Sequence, residues 1–123
     1  MRKLTSLALL AVTATLVAQS ANAQSLSIGF EPSKSRYARG ERMTIAVTFR
    51  NAWGQPCPYT WIQVGSRDDL YRNWSWSWYC TNGSGQVRIG YTVPTDPRRD
   101  NVYIGACFPS WGTFNQKRIP IGL

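Results

Sequence analysis

From residue 25 onward, apolar and polar positions alternate every second residue, and no stretch repeats with the spacing of an amphipathic helix. Leu26, Ile28 and Phe30 form the first alternating set, and Met43, Ile45, Val47 and Phe49 the second. Val87, Ile89, Tyr91 and Val93 follow, then Val102, Ile104, Ala106 and Phe108, and last Ile119 and Ile121. A strand with one face in a core and the other in water produces this period. Turn formers stand between the runs, as in Ala38-Arg39-Gly40-Glu41, Trp53-Gly54-Gln55-Pro56 and Asn82-Gly83-Ser84-Gly85. The pattern predicts strands at 25–31, 42–50, 58–65, 70–80, 86–93, 101–108 and 116–122. Short strands so evenly spaced predict an all-β, seven-stranded antiparallel sandwich.

The N-terminus breaks this pattern. Arg2 and Lys3 precede an apolar run from Leu4 to Ala18, and Ala21-Asn22-Ala23 supplies the small-x-small pattern of a signal-peptidase site. The run is too short to span a bilayer comfortably, so residues 1–23 read as a cleaved signal peptide. The expected mature chain is then 24–123, one domain, in the periplasm or secreted, with no transmembrane segment.

Losing Arg2 and Lys3 takes the formal net charge from +8 to +6, and the remaining cations are ten Arg and two Lys. That balance favours anionic surfaces as partners. The cations are scattered, with no run longer than Arg98-Arg99, as on an ordinary solvated surface. Three cysteines remain, Cys57, Cys80 and Cys107. An oxidising compartment predicts one disulfide, leaving one thiol either buried or available to bridge chains. The chain has no His and no C-x-x-C spacing, so no metal or other cofactor is expected.

Several loop motifs resemble those of a known family. Tyr37-Ala38-Arg39-Gly40-Glu41-Arg42-Met43-Thr44-Ile45 resembles the Y-x-x-G-E-x-x-x-I/V entry to the second strand of bacterial immunoglobulin-like and macroglobulin-like domains. Asn51-Ala52-Trp53-Gly54-Gln55-Pro56 is similar to their N-x-x-G-x-P turn, and Thr81-Asn82-Gly83-Ser84-Gly85-Gln86-Val87 to their T-x-x-x-G-x-V lead into a strand. The resemblance implies an immunoglobulin-like sandwich. It implies no catalytic residue, because such folds serve many functions.

Residues 57–80 hold the unusual chemistry. Trp74, Trp76 and Trp78 recur at every second position, so on a strand they share one face, opposite Ser75, Ser77 and Tyr79. A hairpin turning between Asp68 and Asp69 would place Cys57 opposite Cys80, Tyr59 opposite Trp78, Trp61 opposite Trp76 and Gln63 opposite Trp74. Directly opposed Cβ atoms lie about 4.5–5.5 Å apart, which suits aromatic pairing and, after adjustment, a Cys57–Cys80 bridge. Two placements of the aromatic face compete. If it turns outward, Tyr59, Trp61, Trp74, Trp76, Trp78 and Tyr103 form a platform. If it turns inward, the indoles are core and the serines are surface. Two serines suit an outer face, whereas three adjacent indoles overfill a small sandwich.

These features predict a non-catalytic binding module. Exposed aromatics stack on sugar rings, and Arg67 and Arg72 near the hairpin tip would meet acidic groups, so a polysaccharide is the expected ligand. The alternative is an envelope protein partner docking on the same patch, with Cys107 bridging an oligomer. Single-stranded nucleic acid suits the same residue types, but a secretory leader argues against it. An enzyme is not expected, because the chain lacks His and no carboxylate pair is visibly arranged.

Overall fold

The computed structural model describes residues 24–68, 73–109 and 112–122. The predicted leader and the hairpin tip with Arg72 lie outside the described residues. Seven strands form: β1 Ser25–Glu31, β2 Arg42–Arg50, β3 Trp61–Asp68, β4 Ser75–Cys80, β5 Gln86–Thr92, β6 Asn101–Phe108 and β7 Thr113–Pro120. All neighbours are antiparallel, in a three-stranded sheet ordered β1-β2-β5 and a four-stranded sheet ordered β4-β3-β6-β7. No helix among the described residues is long and apolar enough to cross a membrane.

The alternating apolar sets form the core. Leu26, Ile28 and Phe30 of β1 and Met43, Ile45, Val47 and Phe49 of β2 face Ile62, Val64, Val102, Ile104 and Ile119 from the other sheet. β1, β2 and β6 match the predicted strands residue for residue. β3 lies three residues further along the chain than expected, β4 starts later, at Ser75, but ends at Cys80 as expected, and β7 runs from Thr113 to Pro120 rather than over 116–122.

The loop motifs have visible work. Tyr37 is buried, stacks edge-on against Phe30, and donates its hydroxyl hydrogen to Pro32 O at 2.6 Å. Its backbone bridges to the C-terminal segment through Tyr37 N to Pro120 O and Gly122 N to Tyr37 O, both 2.9 Å. Gly40, at φ 81°, turns the chain so that Glu41 accepts from Ala38 N at 3.0 Å. Asn51 and Asn82 each use a side-chain oxygen to accept two backbone N–H groups further on, the Asx-turn device.

The two sides of the sandwich are closed unequally. On the β1/β7 side, Asn115 donates to Leu26 O at 2.7 Å, and the Lys117 ammonium sits 4.7 Å from the centre of the Phe30 ring. On the β4/β5 side a cleft of about 170 Å³ opens between the sheets, lined by Ser75, Ser77 and Tyr79 against Ile45, Ile89 and Tyr91. Burial raises the Tyr91 phenol above its ordinary pKa.

Candidate functional site

The aromatic hairpin lies in the four-stranded sheet, with β4 at its edge. Its register differs from the expected one by four residues: Trp61 opposes Cys80, Gln63 opposes Trp78, and Gly65 opposes Trp76. The shift is even, so each residue keeps its face. Ile62 and Val64 point into the core, and the indoles lie on the outer surface of the sheet. Ser75 and Ser77 border the open seam, where water reaches a hydroxyl that a closed core would leave without a partner.

The expected Cys57–Cys80 bridge is absent, and none of the three cysteines is joined in a disulfide. Cys57 precedes β3 and packs against the core, where burial raises its pKa, whereas Cys80 stands exposed on the outer face opposite Trp61. Cys107 is on the outer face of β6 but only 1% exposed, its thiol 3.5 Å from Gln63 Oε1, so it is not presented for a bridge between chains. No cluster of three His, Cys, Asp or Glu that could hold a metal ion occurs among the described residues.

Strand register arranges the outer face in rows running across the sheet. The first row is Arg67 of β3, Tyr103 of β6 and Arg118 of β7, with Trp74 just before β4. The second is Trp76, Gly65, Gly105 and Gln116. The third is Trp78, Gln63, Cys107 and Phe114, and the fourth begins with Cys80 and Trp61. The two glycines leave a trough across the central strands, and two indoles fill it. A Cβ on Gly65 would stand 2.7 Å from Trp76 Cε3, and one on Gly105 would stand 2.8 Å from Trp74 Cζ3. Trp74 and Trp76 stack at 5.1 Å with an interplanar angle of 23°, and Phe114 meets both edge-on at 6.0 and 6.2 Å. These indoles are half-buried ring-on-ring filler for the sheet surface.

Beyond the trough stand Trp61 and Trp78, each 58% exposed. Tyr59 is 74% exposed and at φ 52°, outside β3, with its hydroxyl beside the Gly83 turn, so it borders the face rather than extending it. At the opposite end the Arg67 guanidinium lies 4.2 Å from the centre of the Tyr103 ring and 5.4 Å from that of Trp74. The structure therefore brings Trp61, Trp74, Trp76, Trp78, Tyr103 and Arg67 to one surface. Sequence reasoning missed Phe114, Arg118 and the two trough glycines. The alternation Phe114, Gln116, Arg118 and the shared parity of Gly65 with Trp61 were the available signals.

No protein-family model and no curated protein matches the sequence. Among solved structures, a β-glucosidase from Listeria innocua, in complex with glucose, is similar at a TM-score of 0.44 and 9% identity over 81% of this chain. Spo0M, a sporulation control protein from Bacillus subtilis, is similar at a TM-score of 0.46 and 16% identity over 82%. The chain spans 16% of the glucosidase and 50% of Spo0M.

Proposed function

We propose that this chain is an exported, immunoglobulin-like, non-catalytic module that binds polysaccharide on the outer face of the β4-β3-β6-β7 sheet. The observation that carries the reading is the pair of indoles at Trp61 and Trp78, exposed beside a packed aromatic base. A flat apolar ring carried on a strand stacks on the C–H face of a sugar. Gln63 and Gln116, on the same face, offer amide hydrogen bonds for hydroxyls. The immunoglobulin-like part of the reading is supported by β6 lying beside β3 and by the loop motifs at Tyr37, Asn51 and Thr81. Export is supported by the leader pattern of residues 1–23. The non-catalytic part is supported by Glu31, Glu41, Asp68, Asp96 and Asp100, each engaged in an ion pair elsewhere on the molecule.

A second reading, an envelope assembly subunit docking a protein on the same patch, is favoured by one observation. β4 is an edge strand, Ser-Trp-Ser-Trp-Tyr-Cys, with neither charge nor proline to discourage another strand from pairing with it.

Affinity electrophoresis of the mature chain through gels of soluble glycans separates the two. Retardation by a glycan that W61A/W78A abolishes supports the sugar module. No retardation by any glycan, with a dimer or larger species on a sizing column, favours the assembly role.

A further inference from the structure

Among the described residues, the outer face carries charge of one sign only. Its ionisable side chains other than thiols and the Tyr103 phenol are Arg67 and Arg118, which flank Tyr103 in a single cross-strand row. Glu31, Glu41, Asp68, Asp96 and Asp100 pair with Arg88, Lys34, Arg99, Arg98 and Arg39, and among the described residues none pairs with Arg67 or Arg118. The Arg67 guanidinium carbon lies 4.2 Å from one ring centre and 5.4 Å from another. A guanidinium held over aromatic rings still has N–H donors to offer an oxyanion, and the ring contacts restrain it beforehand. Arg118 is exposed. It stands two strands from Arg67, about 10 Å away at the usual strand spacing. The row lies four residues along the strands from Trp78 and Gln63, about 13 Å at the usual rise per residue. The face thus has an uncharged stacking end and a cationic end, separated by more than one sugar ring.

We infer that the polysaccharide bound here is anionic, a linear glycan whose carboxylates or phosphates are held by Arg67 and Arg118 while neutral ring faces stack on Trp61 and Trp78. This rests on the sugar-binding reading of the face and adds the ligand's charge and its polarity along the strands. Charge alone does not require it, since the other described cations are scattered over loops, the opposite sheet and, at Lys117, the inner side of β7 against Phe30. What distinguishes this row is two unneutralised guanidinium groups in register on the surface that also carries the exposed indoles.

The test is a titration of the full mature chain at physiological salt against four probes. These are polygalacturonate, its fully methyl-esterified form, a glycerol-phosphate teichoic acid, and polyglutamate as a polyanion without sugar. The expected result is binding to an acidic glycan about tenfold tighter than to the neutral ester. R118Q, which removes an exposed side chain, should lose severalfold, and R67Q/R118Q should bring the acidic glycan down to the level of the ester. A preference for polygalacturonate or for the teichoic acid identifies the oxyanion as carboxylate or phosphate. Equal binding of acid and ester, or an unchanged R118Q and R67Q/R118Q, overturns the inference and leaves the sugar-binding reading standing. Polyglutamate bound as tightly, and insensitive to W61A/W78A, overturns it as mere charge attraction. No binding to any glycan sinks both.

Discussion

Trp76 lies across Gly65, its cross-strand partner, so closely that a Cβ at residue 65 would stand 2.7 Å from Cε3 and 2.5 Å from the Ser75 carbonyl oxygen. Strand β4 and its indoles can therefore approach the sheet only where the side chain is hydrogen. Gly65→Ala forces the β4 backbone and the ring outward together, and Gly105→Ala lifts the Trp74 and Trp76 rings alone. Each should cost about 1–3 kcal/mol, the usual penalty of overpacking. Chemical denaturation measures the loss, and red-shifted tryptophan emission reports the lifted rings. Unchanged stability in Gly65→Ala would contradict the trough.

The exposed and the seated indoles should behave oppositely. Trp61→Ala and Trp78→Ala remove side chains that are mostly in water and should change stability by no more than about 0.5 kcal/mol. Trp76→Ala removes a ring packed on Trp74 and Phe114 and should cost roughly 2 kcal/mol, below the ~3–5 kcal/mol of a fully buried aromatic. Glycan affinity should fall in the first two, and equal denaturation midpoints for all three variants would overturn the division.

Thiol chemistry follows from burial. Cys80 should react rapidly with a thiol reagent in the native protein, while Cys57, its pKa raised by burial, and the enclosed Cys107 should react only on unfolding. A reagent count of one before and three after denaturant is the expected outcome, and Cys80→Ser should abolish the native reaction. Three fast thiols would contradict the packing.

Acid should weaken the loop before β6. Hydrogen bonds from Arg98 hold the Asp96 carboxyl at a pKa of about 2, below its ordinary 3.8. A group whose folded pKa is depressed contributes stability above its unfolded pKa and loses it as pH falls through the folded one. The margin of the wild type over Asp96→Asn should thus be full at neutral pH and shrink from about pH 4 to vanish near pH 2. The site is exposed, so the margin is small. A difference that grows on acidification would reverse the sign and refute the assignment.

Tyr37→Phe keeps the ring against Phe30 but removes the hydroxyl that donates to Pro32 O and accepts from Lys34 N. The expected cost is about 1 kcal/mol, read from a denaturant midpoint at unchanged slope.

Legibility from sequence varied with how local the determining interaction was. β1, β2 and β6 were readable to the residue because each pairs an uninterrupted apolar alternation with a turn former at its end. The hairpin was misplaced because Asp68 reads as a turn residue. In the fold it ends β3 facing inward, in an ion pair with Arg99 Nε at 3.2 Å that no local pattern announces. The misplacement kept the aromatic face, because indoles at every second position match equally well under any even slip. Only the cysteines distinguished the two registers, and they are not bonded. The early start of β7 at Thr113 carries no apolar alternation to announce it, and Asn115 there is an exposed residue that donates to Leu26 O. Arg67 was readable as a candidate; its seat between Trp74 and Tyr103 depended on three strands meeting.

The cleft between β4 and β5 gives the molecule a spine and a free margin. Asn115 and Lys117 bind the two sheets along one edge like the back of a book, while the opposite leaf ends at β4. Thermal breathing concentrates where few packed groups resist it. Trp76 and Trp78 are carried on β4, at the margin beside the cleft, and Tyr103 and Arg118 on strands near the binding. On the proposed reading, the stacking end of the surface then adjusts its tilt to the contour of a bound glycan, while the cationic end keeps its spacing.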